Sequence, residues 1–460
     1  MKTHQEAIKD IIDIEERLKL YDFEVASIPI WNILRFKIRT KYILRESGIN
    51  EKGSARLNIS LTELIKGSFK SFKQIVTFIW EKRQIDNFVI GFSRLDSVNG
   101  YYLDKFIDPI LEVSNLKNDY VYIEYGKIGK HLEPRLNSKN ILHFDFFYLS
   151  TYALGVIISP FFLLRYYNRL KEFYNKILPE ILGNEKCFFS ILNAIGEAYL
   201  QYRFFYFLFK RCRIKRVFGV SRILFFTTSL AAKKMGIPVY ELQHGITIGL
   251  SKLYSGYYNP KIDPDYFMTF GSVCTKELFG IPTDKIIEIG WAFKSFIHNL
   301  NLTIDLYPNT LLIVSDPEVS QKVVDIACLF AENYPEYTFH IRRHPQESFT
   351  LGQKKLIADY SNIKDVSNSI SSSIVVLSYD YVLGDNSTVL YEALSVGKKV
   401  GRINFGGFIL REYNPNKSDG FFYINKISDL KNFTCMNQSE ETDSNIYSDF
   451  KIELFNSLLK

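Results

Sequence analysis

The chain has 460 residues, 47% hydrophobic and 23% charged, which is apolar enough to build two or three domains and to exclude a disordered chain. Its net charge of +7 suits anionic small molecules or acidic headgroups, but it is too weak and dispersed for a nucleic-acid binder, and no nucleic-acid motif occurs. Cys187, Cys212, Cys274, Cys328 and Cys435 are far apart and form no CxxC, which argues against disulfides or a zinc site and fits a reducing cytosol.

Residues 1–85 read as mostly helical. HQEAIKDIIDIEERLKL, IPIWNILRFKIRTKYIL and LTELIKGSFKSFKQIVTFIWEKR carry apolar residues at helical spacing, the second with many basic residues. They are expected to cap the next domain or to dock on a membrane surface. The first twenty residues contain no apolar h-region, so no signal peptide is expected.

From Asn87 the pattern changes to short apolar runs alternating with helical stretches. Strands are expected at 87–92, 119–125, 140–147, 215–220, 237–245, 264–271 and 285–293, with a helix over 222–236. Such alternation implies a parallel sheet. Phe146 to Leu164 is nineteen residues without a charge, long enough to span a bilayer although Gly155 and Pro160 interrupt it. It reads as a span, as a buried helix or loop, or as an interfacial patch. Residues 199–216 interleave aromatics with Lys and Arg, fitting either a core helix with a basic end or a membrane-contact surface. The polar stretch 294–309 is the best domain boundary. Beyond it, strands are expected at 310–316, 337–345 and 372–378, a helix at 387–397, and a loop at 436–445. The expected organisation is α/β: a helical region over 1–85, a Rossmann-like domain over 86–300 and a second over 301–460, facing a cleft. In such sheets ligands bind beyond the carboxyl ends of the strands.

Several loops at those ends carry chemistry. In HIRRHPQE, strand alternation sends Arg342 and His344 to one side and Arg343 to the other, and Pro345 disfavours an immediate helix. Arginine's planar fork and a directional imidazole suit an anion, so Arg342, Arg343 and His344 are candidate contacts for a donor phosphate. In VLGDNSTVLYEAL, Asn386 or Ser387 is a natural helix N-cap. The Ser387 and Thr388 hydroxyls and the free N–H groups there suit a phosphate. Glu392, one turn further, is placed to accept ribose or sugar hydroxyls. Ser315 lies in the first strand–helix loop of the second domain, near the same phosphate position. In ELQHG, Gln243, His244 and Gly245 end a strand of the first domain; His244 is a suitable general base for a hydroxyl, and Gln243 and Gly245 are candidate acceptor or cleft contacts. Ser93 and Arg94 end the first strand on the cleft side, with Asp96 or Asp104 as acceptor contacts. The plainer readings are helix capping, internally bonded histidines and solvated loops. Asp263-Pro264-Asp265 spells DxD but reads as the start of a strand, and no metal site is expected. No GxGxxG or Walker A sequence occurs.

His344-Pro345 and Ser387-Thr388 resemble the HP and SS/ST motifs of bacterial sialyltransferases and related CMP-sugar transferases of GT-B fold. LQHG, RRHP and NSTVLYEAL together are also similar to capsule Kdo transferases and CDP-glycerol glycerophosphotransferases. The resemblance covers roughly 215–405, and the sialyltransferase acidic motif has no match. It implies a GT-B glycosyltransferase of capsule or lipopolysaccharide assembly. The donor would be a nucleotide sugar, CMP-linked in preference, and the acceptor a glycan or lipid-linked glycan. His244 would be the base, and His344 with Ser387-Thr388 would meet the leaving phosphate. No cofactor is implied beyond the nucleotide-sugar co-substrate, and the expected location is the cytoplasmic face of the membrane. Polyol-phosphate transfer from CDP-glycerol, nucleotide-sugar epimerisation and a non-catalytic scaffold are the alternatives.

Overall fold

The computed structural model describes residues 2–48, 61–92, 95–124, 131–183, 187–245, 250–272, 281–300, 304–316, 319–344, 347–366, 370–385, 387–406, 420–435 and 446–460. Two large parallel sheets dominate it. The first holds β1 (Asn87–Ile90), β2 (Tyr120–Glu124), β3 (Ile141–His143), β4 (Arg216–Val220), β5 (Val239–Leu242), β6 (Tyr266–Thr269) and β7 (Ile286–Glu288). Their spatial order is β7-β6-β5-β4-β1-β2-β3, every pair parallel. The second holds β8 (Thr310–Val314), β9 (Thr338–Arg342), β10 (Ile363–Val366), β11 (Tyr381–Gly384), β12 (Lys399–Ile403) and β13 (Phe422–Ile424), in the order β10-β9-β8-β11-β12-β13. Counted from its own first strand, each sheet runs 3-2-1-4-5-6, the Rossmann order, and the first adds a seventh strand. NFVI, YVYIE and TLLIV are apolar without alternation because central parallel strands are covered on both faces. The chain is thus an α/β protein with two Rossmann-like domains in the GT-B manner. One apolar cluster joins them, with Phe218 and Tyr240 from the first and Leu312, Val382 and Leu390 from the second.

Three expectations need correction. Residues 372–378 are not a strand: Ser372–Val375 is an α-helical turn and Val376–Ser378 a 3-10 turn. A four-residue apolar run fits a buried helix turn as well as a strand. The sheet position is filled instead by β11, where Gly384 lets the backbone close on β8; a Cβ there would lie 2.7 Å from Val314 Cγ2. Residues 145–147 leave the strand early and begin a long helix. Finally, 446–460 does not stay with the second sheet. Ser448 N–H donates to Phe270 O at 2.9 Å, and the Phe455 ring lies 5.9 Å from Phe218.

Of the helical parts, α1 (His4–Arg17) and α2 (Ile30–Glu46) pack against α4 (Asp145–Ile177) and α5 (Phe188–Cys212) through Trp31, Phe173 and Ile195. The charge-free stretch 146–164 lies within α4. It crosses α5 at a glycine pair: a Cβ on Gly155 would lie 2.7 Å from Glu197 N, and one on Gly196 2.6 Å from Gly155 O. α3 (Leu61–Glu81) lies beside α4, tied to β3 by a Ser71 Oγ–H bond to His143 O at 2.5 Å.

Candidate active site

The carboxyl end of β5 carries the first group. Gln243 is fully buried and holds its own loop: its amide donates to Gly245 O at 2.8 Å and accepts from Phe270 N–H at 2.7 Å. It therefore shapes the loop rather than meeting an acceptor. His244 Nδ1 lies 2.8 Å from the Tyr254 hydroxyl, and its ring is 5.4 Å from Phe92. Burial pushes the Tyr254 phenol well above its ordinary pKa, helped by the Glu241 charge and a hydrogen bond to Glu241. The Glu241 carboxylate accepts from Arg222 N–H at 2.6 Å and Arg222 Nε–H at 2.8 Å. Arg222 lies 3.4 Å from Asp263, which also meets Arg35 at 3.1 Å.

A Tyr254 phenol proton given to Glu241 would set the imidazole tautomer. The phenol has one proton, and the carboxylate is its stronger acceptor. The tyrosine oxygen then accepts from Nδ1–H of His244, leaving Nε2 as the basic nitrogen. The DxD acids are accounted for as well, since Asp263 meets two arginines and Asp265 meets Lys233 at 2.5 Å just before β6.

The second group lies at the carboxyl ends of β8, β9 and β11. Glu347 organises it, accepting from Ser315 Oγ–H at 2.8 Å and from His344 N–H at 3.0 Å. Ser315 thus braces the His344 loop. Arg342 is buried on the interdomain side and donates to Ile370 O. Burial lowers its pKa from the ordinary value. Arg343 points the other way and pairs with Asp365 of β10 at 2.9 Å, which separates it from the anion position expected of it. Ser387 is the N-cap of α6 (Thr388–Ser395), its Oγ accepting from Val389 N–H at 3.3 Å. Thr388 is exposed at the helix start. Beneath this turn the buried Arg402 donates to Asp385 O at 3.0 Å. Pro345 and Asn386 lie outside the described residues, as do Ser93 and Arg94.

The two groups meet. A Cβ on Gly245 would lie 3.7 Å from Thr388 Cγ2, so the LQHG loop faces the serine-threonine turn directly. Lys105 of the first domain binds Glu392 at 2.7 Å, and Ser371 Oγ–H donates to Asp96 at 2.8 Å. These contacts correct two expectations. Glu392 is occupied by Lys105 and Ser373 as an interdomain tie, and Asp96 likewise joins the domains. Asp104 is fully buried, held by Phe92 N–H at 2.6 Å, Phe106 N–H at 2.9 Å and Tyr122 O–H at 3.0 Å, so it cannot reach an acceptor.

A further cluster closes β2 and β3. The ligand atoms of Glu124, His131 and His143 lie within 4.8 Å of one another. His131 has Nδ1 2.6 Å from Glu124 and Nε2 2.7 Å from Asp145, and its ring stacks on His143 at 3.4 Å. Burial opposes a charge on His131, but the bonds to Asp145 and Glu124 outweigh it and raise the pKa to about 9. Burial and the neighbouring His131 lower His143 to about 4. With both His131 ring nitrogens bonded to carboxylates, the cluster reads as a buried ion-pair network. Tyr254, Glu241, Glu347 and Lys105 were not singled out from sequence. The one available signal was Glu241, an acid inside the apolar run VYEL, which must find a buried partner.

No family model matches the chain, and no curated protein matches it. Solved structures of similar outline include UDP-GlcNAc 2-epimerase from Methanocaldococcus jannaschii, at 12% identity and TM-score 0.48, covering 81% of this chain and 98% of that one. The wall teichoic acid polymerase TagF is similar at 12% identity and TM-score 0.41, covering 87% and 93%. The calicheamicin glycosyltransferase CalG4 is similar at 10% identity and TM-score 0.43, covering 82% and 98%. The fold assignment rests on the strand orders above rather than on these likenesses.

Proposed function

We propose that the chain is a nucleotide-sugar enzyme of GT-B architecture, and specifically a glycosyltransferase of surface-polysaccharide assembly. The observation that carries this reading is the approach of Gly245 to Thr388, which sets the His244 loop opposite a helix N-terminus of the second domain. Nε2 of His244 takes the proton of an acceptor hydroxyl. The hydroxyl oxygen attacks the anomeric carbon, and the bond from that carbon to the phosphate oxygen breaks with its electron pair on the phosphate. His344, the N–H groups of α6 and the Thr388 hydroxyl stabilise that charge. A CMP-linked donor and a glycan or lipid-linked acceptor come from the motif resemblance, and this reaction needs no metal or cofactor.

Thermal-shift titration with CMP, CDP and UDP tests nucleotide binding. At a hundredfold excess over Kd, a ligand adds about 2.7 kcal/mol to stability. No shift with any of the three would leave the scaffold alternative standing instead. Product analysis separates the chemistries: glycosyl transfer gives a sugar-extended acceptor, polyol-phosphate transfer adds phosphorus to it, and epimerisation proceeds without an acceptor. Turnover should persist in EDTA.

A further inference from the structure

We propose that α3 and α4 together form a docking face for an anionic lipid bilayer, which seats the first domain on the membrane. On α3, Ile65, Phe69, Phe72, Val76 and Trp80 recur at helical spacing and are exposed, Phe69 by 70% and Trp80 by 82%. The face packed inward is a different one, carrying Ser71, Ile75 and Phe78. α3 thus has two apolar stripes, and only one is explained by the core. On α4, Tyr152, Ile157, Phe161 and Leu164 are exposed by 61%, 63%, 69% and 81%. The two surfaces are continuous, because the half-exposed rings of Phe72 and Phe146 meet edge-on at 4.9 Å. Monomeric soluble proteins rarely expose so large a contiguous apolar patch.

Charge decides the occupant. Lys66, Lys70 and Lys73 are exposed and each directly follows a member of the stripe, Ile65, Phe69 and Phe72, so they line its edge. Lys82, Arg83 and Arg165 are exposed at its ends. Among these cations, Lys70 meets Glu133 at 3.2 Å and Arg83 meets Glu81 at 2.6 Å, all four side chains solvent-exposed, where such pairs are weak. An aromatic stripe with a lysine border is the pattern of a helix lying in the headgroup plane of anionic lipid.

The face lies on the bilayer rather than crossing it. The helix Asp145–Leu182 is long and apolar enough to span, with 28% of its apolar window buried. Its inner face, however, is locked to α5 by the glycine crossing and by polar contacts, Ser159 to Asn193 at 2.9 Å and Thr151 to Gln201 at 3.3 Å. Spanning would carry the Glu197 and Arg203 side chains of α5 into the hydrocarbon. This placement is independent of the chemistry in the cleft.

Flotation of the full chain with vesicles tests the proposal, using phosphatidylcholine alone and phosphatidylcholine mixed with phosphatidylglycerol. The wild-type chain should float with the anionic vesicles and release them at high salt. Phe69→Glu with Trp80→Glu should weaken binding at least about tenfold. Lys66→Glu, Lys70→Glu and Lys73→Glu together should weaken it about a hundredfold on anionic vesicles. All these side chains are exposed, so the variants should keep the wild-type urea midpoint. Wild-type protein that stays with the aqueous fraction overturns the proposal. So do variants that float like wild type, or a wild-type dimer that Phe69→Glu and Trp80→Glu dissociate without any effect of lipid.

Discussion

Tyr254→Phe removes a single oxygen and probes the reasoning about His244 most directly. That oxygen lies 2.8 Å from His244 Nδ1 and also bonds Glu241. Phenylalanine fills the same space, so the variant should lose hydrogen bonds and little packing. Glu241 keeps its contacts to Arg222 but loses one donor, a cost of about 1–3 kcal/mol in unfolding free energy. The kinetic effect should be larger than a stability change alone produces. Without its acceptor for Nδ1–H, the imidazole samples both tautomers and its ring is no longer held. Outer partners of a working histidine are worth about 10- to 100-fold, so kcat should fall by that factor while KM for the donor stays near wild type. His244→Ala should cost about 10²–10⁴-fold. The assay is steady-state nucleotide release with acceptor, read as kcat and KM separately, alongside urea unfolding. A double-mutant cycle completes it: once His244 is gone, Tyr254→Phe should cost almost nothing more in rate. A Tyr254→Phe rate within about twofold of wild type, or fully additive losses in the double variant, would refute the assigned tautomer relay.

Other expectations follow from the same geometry. His344→Ala should lower turnover at least about a hundredfold in steady-state nucleotide release, while its backbone N–H keeps the bond to Glu347. Lys105→Met leaves the buried Glu392 carboxylate without its cation and should cost about 2–3 kcal/mol; adding Glu392→Gln should restore part of it. The histidine pair should make stability depend on pH on both sides of the ordinary histidine pKa. His131, raised from 6.5 to about 9, contributes stability that is full below pH 6.5 and is lost as pH rises toward 9. His143, lowered to about 4, stays neutral when folded, so stability falls as pH drops from 6.5 toward 4. Each limb should be no more than about 2 kcal/mol after solvent screening, and His143→Asn should flatten the acid limb alone in urea titrations.

Much of the fold was legible because parallel strands are covered on both faces and therefore read as uninterrupted apolar runs. NFVI, YVYIE, RVFGV and TLLIV announced themselves this way, and Gly236 and Gly397 marked where helices stop. β10 was not legible, because IKDV at the sheet edge buries little. Nor was the fate of SSIVVLS, whose apolar run is too short to carry a period. The candidate site was half legible. The loops of His244 and of Ser387-Thr388, singled out at strand ends, come together across the domains, whereas Glu392, read as a sugar contact, is paired with Lys105 of the first domain.

The sequence by itself determined two α/β units and the side of each sheet on which the informative loops emerge. That follows from local physics: apolar periodicity sets strand and helix, and a strand's direction sets which end its loop leaves. Only the tertiary structure decided which side chains work on one another. Thr388 reaches Gly245 from the other domain, and Lys105 and Asp96 of the first domain reach Glu392 and Ser371 of the second. Such pairings depend on how the two sheets pack, and no local pattern encodes them. The same holds for 146–164, whose composition fits a span, a core or a surface equally well. Its packing against α5 left one face covered and the other open.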